Sequence, residues 1–244
     1  MSSSSPSLRS RFVGALIGTM AGDQLGAPFE GQPGDVVASR MDGSNRSAAD
    51  WIQLSRYTDD TQMMIGLAES LAALGRLDGA DVARRFAENY EPDRGYGGGA
   101  HRVLSALRDG CAWDQAATLV FPDGSFGNGA AMRVAPVGVF FWRDRAARRQ
   151  AAEASAVVTH AHPLGMEGAV LQAHAIAEAI SAVHDGFTPA AFIASLATDT
   201  AICGKSILIS RFTPSVGAFR PSGSIRSSPR PAARPTSGSR TSWT

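Results

Sequence analysis

The chain is expected to fold as an all-α single domain, a multi-helix assembly without a sheet. Three observations carry this. Apolar side chains recur at three- and four-residue spacing through residues 8–200, strand-like alternation is absent, and Gly, Pro or Asp punctuate the periodic segments. With 244 residues, 44% of them apolar, the chain can bury one large core or two small ones, and its uniform helical texture points to one.

The first helix is expected over Arg11–Ala21, where Gly14, Gly18, Gly22 and Gly26 recur every fourth residue. Small residues on one helical face admit close approach of another backbone, so Gly14 and Gly18 read as buried against neighbouring helices. Arg11, Asp23 and the short apolar length argue against a bilayer. Gly22, Gly26 and Pro28 are expected to end the helix and leave Asp23 and Glu30 on a turn, where a lone Asp ordinarily serves as a cap. Residues 31–50, with Gly31, Pro33, Gly34, Gly43 and Asn45, read as a mobile loop.

A second helix is predicted over Asp60–Leu74 by the spacing of Met63, Met64, Leu67, Leu71 and Leu74. Thr58 is placed as its N-cap, with Asp59 and Asp60 in the first turn, where the helix dipole favours negative charge. Capping accounts for one of these aspartates. A second, flanked by the Thr58 and Thr61 hydroxyls, suits a hard cation ligated by oxygen, Mg²⁺ or Mn²⁺. On the residues alone both readings stand.

Helices follow over Ala80–Tyr90 and Gly99–Arg108, with the loop Arg94–Gly99 between them. Residues Gly124–Arg133 form a glycine-rich loop running into a helix expected over Asn128–Trp142. Unpaired backbone N–H groups at such an entry can cradle phosphate, although a plain Gly/Asn-rich turn fits equally well. No Gly-Lys-Ser/Thr ending is present and no strand precedes the loop, so it is neither a P-loop nor a dinucleotide fingerprint. Tyr96 and Phe126 either stack on a base or belong to the core. Helices over Asp144–Val158, Leu164–His184 and Pro189–Ala197 complete the series. Between the first two lies Thr159-His160-Ala161-His162, a His-x-His pair that neither Glu167 nor His174 extends into a recognised zinc spacing. One histidine is expected to face a cleft and the other the surface.

The net charge of +1 conceals a division. Seven basic residues and no acidic one fall between Lys205 and the C-terminus, which leaves −6 on residues 1–204. The basic segment 205–244 is rich in Arg, Ser and Pro, lacks apolar periodicity and is expected to be disordered. Without aromatics interleaved on a folded platform it does not describe a nucleic-acid surface. The two cysteines, Cys111 and Cys203, match no metal or disulfide spacing and point to a reducing compartment. Residues Met1–Ser7 lack an apolar leader core, and no stretch approaches the ~18 apolar residues of a membrane span. A cytoplasmic monomer that meets no membrane is expected.

Five motifs then fall in one order: Gly-Asp-x-x-Gly-x-x-x-Glu at Gly22–Glu30, Tyr-Thr-Asp-Asp-Thr at Tyr57–Thr61, Asp-Arg-Gly-Tyr-Gly at Asp93–Gly97, Gly-Ser-Phe-Gly-Asn-Gly with Ala-Met-Arg at Gly124–Arg133, and Thr-His-Ala at Thr159–Ala161. Together they resemble the ADP-ribosylglycohydrolase family over residues 10–200, and are most similar to the subgroup that cleaves serine-linked ADP-ribose and related O-linked esters. The resemblance implies an all-α fold with two divalent cations, Mg²⁺ or Mn²⁺, in a cleft. It implies Thr58, Asp59 and Asp60 as metal ligands, and Glu30, Asp59 and Asp60 as catalytic residues, with Glu30 on a flexible segment over the metals. Gly95, Gly124, Ser125, Phe126, Gly127, Asn128 and His160 would hold the diphosphate, riboses and adenine. The substrate would be an ADP-ribosylated protein or an ADP-ribose ester.

One family feature has no counterpart. A second acidic cluster, Asp-x-Asp-Thr in a glycine-rich segment, is not found after residue 200, and Thr198-Asp199-Thr200 is an imperfect echo of it. The change of composition near Cys203 reads as a wrong reading frame or a truncated gene, so the helical domain, residues 8–200, is expected to be incomplete at its C-terminal side. Two functions follow: a metal-dependent ADP-ribosyl hydrolase, or a catalytically impaired ADP-ribose-binding remnant.

Overall fold

The computed structural model describes residues 6–42, 56–182 and 187–199. Eleven α-helices and two single 3₁₀ turns occur among them, and no strand. Helix α1 (Leu8–Gly26) is followed by a 3₁₀ turn at Ala27–Phe29 and by α2 (Gly34–Asp42). Helix α3 (Asp59–Leu74) is buried over half its length, with Thr61, Gln62, Met63, Met64, Gly66, Leu67, Ser70 and Leu71 all inside. A helix apolar on several faces must be surrounded. Its partners are α1, α4 (Gly79–Asn89), which contributes Val82, Ala83 and Phe86, and α8 (Ala135–Phe140). Gly66 lets Phe86 approach, since a Cβ there would stand 3.1 Å from its ring. Thr58 caps the start of α3, its side chain accepting from Asp60 N, and Gly75 closes the end with φ 66°.

Helices α5 (Gly98–Arg108), α6 (Ala116–Val120) and α7 (Gly129–Met132) carry the loops that reach the candidate site. Helices α9 (Arg145–Val157), α10 (Pro163–Ser181) and α11 (Pro189–Asp199) form the opposite flank, with α10 packed on α7, α8 and α9. Asp144 caps α9 and His162 caps α10. Where α8 crosses α10, a Cβ on Gly138 would lie 2.8 Å from both Ala173 O and Ile176 Cβ.

Several boundaries differ from the sequence reading. Helix α1 runs to Gly26, so Asp23 lies within it and not on a turn, while Glu30 follows the 3₁₀ turn as its C-cap. Its inner face is Phe12, Leu16, Thr19, Met20 and Asp23, all partly buried, and Phe12 meets Trp142 edge-on at 6.0 Å. Arg11 donates to the Ile180 and Ala182 carbonyls at 2.9 and 3.1 Å, which ties α1 to the end of α10. The glycine stripe therefore falls on the outer face. Gly14 and Gly18 are exposed, and no described atom would meet a Cβ on them within 4 Å.

Part of the expected loop over residues 31–50 is α2. Pro33 O accepts from Val37 N, and Asp35 in the first turn with Arg40 in the last match the helix dipole. Residues 43–50 lie outside the described residues. The helix expected over Asn128–Trp142 is two short ones, α7 and α8. Within one continuous helix the Pro136 ring would clash with the Met132 carbonyl, whereas in the first turn of α8 its missing N–H costs nothing. The basic segment 205–244, Thr200, and the last two residues expected in the Leu164–His184 helix also lie outside the described residues. No helix among the described residues is long and apolar enough to cross a membrane.

Gly138→Ala is expected to lower stability by about 1–3 kcal/mol through overpacking. Gly14→Ala, on the open face, is expected to be neutral or to stabilise by up to about 1 kcal/mol through helix propensity. Thermal denaturation of the two variants checks both signs.

Candidate functional site

The site is organised from Asp23, on the inner face of α1. Its Oδ2 accepts from Thr58 N at 2.9 Å, Thr61 N at 3.2 Å and Thr61 Oγ1 at 2.6 Å, and its Oδ1 accepts from Thr58 Oγ1 at 2.7 Å. Helix starts present unpaired N–H groups, and a carboxylate from another helix satisfies two of them here while favouring the dipole. Asp59 and Asp60 sit between the two anchored threonines. Sequence reading treats Asp23 as a lone cap; it does cap, but at the start of α3.

The anchored segment is electrostatically crowded. Burial raises the Asp59 carboxyl to about 6; its own backbone N–H opposes this, and Glu30 and Asp23 add repulsion. Asp60 is raised to about 7 by burial first, then by Asp59, Asp23 and Glu30. Glu30 itself is exposed at the end of the 3₁₀ turn. These groups are hard oxygen donors, and a divalent cation beside them would reverse the repulsion, so the donor chemistry fits Mg²⁺ or Mn²⁺. Among the described residues, however, no group of three or more His, Cys, Asp or Glu is arranged to hold a metal. Thr58, Asp59 and Asp60 could supply only part of a coordination sphere.

A cavity of about 220 Å³ opens beside Asp59, lined also by Met63, Ser125, Asn128, Gly129 and His160. The structure thus brings the helix start, the glycine loop and the Thr-His-Ala segment together from three distant parts of the chain. Gly95 joins them, since a Cβ there would stand 3.9 Å from Asp59 Oδ1, and its φ of 90° favours glycine. Gly124 is demanded by packing. Its φ is 78°, and a Cβ would meet His162 N at 2.2 Å. Gly127 lies where a Cβ would be 3.4 Å from His160 Nε2, and its N–H donates to Ser125 Oγ at 3.3 Å. Phe126 is 72% exposed, edge-on to His162 at 5.4 Å, and outside the cavity lining. Because the helix after the loop has only four residues, its dipole is short and the loop itself dominates local geometry.

Other sequence alternatives are decided by contacts. Tyr96 takes its core role: its ring packs on Tyr90 at 4.7 Å, and its hydroxyl donates to Gln62 Oε1 at 2.8 Å. Gln62 Oε1 also accepts from Glu91 N at 3.2 Å, so one buried amide ties the 91–97 loop to α3, a link with no signal in the sequence. Glu167 pairs with Arg149 at 3.0 and 3.1 Å, and His174 Nδ1 accepts from Arg148 Nε at 3.1 Å. Both are engaged away from His160. His160 lines the cavity, while His162 accepts from Leu164 N and caps α10. A larger cavity of about 580 Å³, between α4 and the end of α5, contains none of the predicted site residues.

Fold and site together define an all-helical domain whose acidic helix start faces a glycine-rich loop and a buried histidine across one cavity. The family model for ADP-ribosylglycohydrolase matches residues 4–221, and the chain belongs to that family. It is 42% identical over 176 residues to ADP-ribosylhydrolase ARH3 of Danio rerio, covering 68% of this chain and 47% of the relative. It is 37% identical over 186 residues to ADP-ribosylhydrolase ARH3 of Homo sapiens, covering 68% and 49%. To the ADP-ribosyl-(dinitrogen reductase) glycohydrolase of Rhodospirillum rubrum it is 33% identical over 165 residues, covering 65% and 54%. The chain spans about half the length of the curated relatives it matches.

A carboxyl raised in the folded state holds a proton there that it loses on unfolding. The contribution of Asp59 and Asp60 to stability therefore falls as pH rises from about 4 through about 7. Without divalent cation, Asp60→Asn is expected to raise stability at pH 8 by about 1 kcal/mol, discounted for partial exposure, and to flatten this pH dependence. Asp23→Ala, which leaves the α3 donors unpaired, is expected to cost about 3 kcal/mol. Denaturant titrations from pH 4 to pH 8 check both.

Proposed function

We propose that this chain carries the ADP-ribose-binding part of a divalent-cation-dependent hydrolase that removes ADP-ribose from modified proteins or O-linked ADP-ribose esters. The observation that supports it most is the convergence of Asp59, the Gly124–Gly129 loop and His160 on one cavity in a chain of this family. In this reading Thr58, Asp59 and Asp60 hold Mg²⁺ or Mn²⁺, which when bound neutralises the carboxylates and polarises the sugar. Ser125, Asn128 and His160 contribute polar side chains to the diphosphate and riboses, while Gly95 and Gly127 leave room for the ligand to approach the backbone. Gly124 holds the loop in place, and exposed Phe126 offers a ring face at the rim for adenine. Glu30, exposed beside the carboxylates, stabilises positive charge developing at the anomeric carbon as the glycosidic bond weakens.

A second reading, an ADP-ribose binder with impaired catalysis, is favoured by the donor count. Two cations a few ångströms apart need more oxygen ligands than Thr58, Asp59, Asp60 and Glu30 provide. Asp23, the nearest substitute, already accepts four hydrogen bonds.

The two readings separate in one experiment. The purified chain is expected to bind ADP-ribose by calorimetry but to release little ADP-ribose from a serine-ADP-ribosylated peptide with Mg²⁺. Robust Mg²⁺-dependent release would establish the full hydrolase and overturn the impaired reading; absence of ADP-ribose binding would overturn both. Gly127→Val, whose side chain would crowd His160 Nε2, is expected to weaken ADP-ribose at least about tenfold with helical circular dichroism unchanged.

A further inference from the structure

Behind His160 stands a buried guanidinium that the functional reading does not use. Arg133, between α7 and α8, is completely buried. Its Nη1 donates to Thr159 Oγ1 at 2.7 Å and its Nη2 to Ser155 O at 2.8 Å, and its Cζ lies 4.7 Å from the Phe86 centroid. Its Nε has no hydrogen-bond partner among the described residues. Burying a cation this way is costly, so the site retains it against a stability gradient.

Thr159 Oγ1 touches one further group, His160 Nδ1 at 2.7 Å. An arginine can only donate, so the threonine oxygen accepts from it. The Thr159 hydroxyl hydrogen, 1% exposed with its residue, then needs an acceptor, and His160 Nδ1 is the one within reach among the described residues. An Nδ1 that accepts leaves the ring proton on Nε2. Nε2 itself has no hydrogen-bond partner among the described residues and lies beside Gly127 and Gly129 on the cavity.

We propose that Arg133 and Thr159 are positioning residues that fix His160 as a neutral imidazole protonated on Nε2, a one-way hydrogen-bond donor to an acceptor oxygen of the ligand. Burial, and then the Arg133 charge, push the His160 ring down to about 3, while Arg133, lowered to about 9 by burial, remains cationic at neutral pH. A donor held in one tautomer discriminates: it rewards a phosphate or ribose oxygen and offers nothing to a ligand that presents a donor there. That the ligand is ADP-ribose rests on the proposed function; the tautomer does not.

The test reads the tautomer directly. Long-range ¹H–¹⁵N spectra of the ¹⁵N-labelled chain, with the His160 signals assigned by their loss in His160→Asn, are expected to show one neutral ring protonated on Nε2. In Thr159→Val the ring is expected to shift toward the Nδ1-protonated form and ADP-ribose affinity to fall about tenfold, while Thr159→Ser restores both. A wild-type ring protonated on Nδ1 would overturn the relay whether or not any variant folds, and so would an unchanged tautomer in a Thr159→Val chain whose circular dichroism is that of the wild type. Failure of the wild type to bind ADP-ribose, with the Nε2 tautomer present, would instead leave the relay intact and count against the functional reading.

Discussion

One carboxylate, Asp23, joins two helices that would otherwise have no reason to meet at this point. It accepts all four of its hydrogen bonds from Thr58 and Thr61, closing the start of α3 from the side of α1. Without it, two helical N–H groups and two hydroxyls at a half-buried helix start would need other partners. With it, the position of α1 relative to α3 is set by directional bonds and not by apolar contact alone. The acidic pair Asp59–Asp60 inherits that rigidity, since each is bounded by an anchored threonine.

The same arrangement is electrostatically frustrated: Asp23 and Glu30 repel both Asp59 and Asp60, and burial discourages the ionisation of that pair. Within electrostatic reach of Asp59, Arg133 is buried with its Nε lacking a hydrogen-bond partner among the described residues. Ordinary stability would favour neither. Local violations of good packing and charge pairing that the rest of the fold supports are the usual mark of a site that meets a ligand, and here Asp59 and Thr159, which accepts from that arginine, line one cavity.

The glycines around that cavity serve three distinct purposes. Gly124 is a packing necessity, pressed against the Ala161–His162 backbone with positive φ. Gly129 makes room for the His160 ring, which a Cβ would approach to 2.4 Å. Gly95 and Gly127 stand beside Asp59 and His160, where a Cβ would lie 3.9 Å from Asp59 Oδ1 and 3.4 Å from His160 Nε2. A single motif, Gly-Ser-Phe-Gly-Asn-Gly, thus mixes glycines that close packing demands, Gly124 and Gly129, with one at a looser contact, Gly127.

Periodicity alone located α3, α4, α5, α9, α10 and α11, because a helix is a local object whose apolar spacing is written in consecutive residues. It failed where a local signal was ambiguous: glycines inside α1 that tolerate helix, charges that make α2 helical, and Pro136, which divides one apolar run into two. Thr58, Asp59 and Asp60 were legible as candidate ligands because they are adjacent. The contacts that give them and His160 a defined geometry were not, since Asp23 meets Thr58 across 35 positions and Arg133 meets Thr159 across 26. Nothing in a linear pattern records which distant donor satisfies a given acceptor. The sequence by itself determined the all-helical class, the family and the residue types of the candidate site; which carboxylate anchors, which glycines close packing demands and which histidine nitrogen faces the cavity were decided by tertiary structure, because hydrogen bonds and close contacts are selected only once the helices have packed.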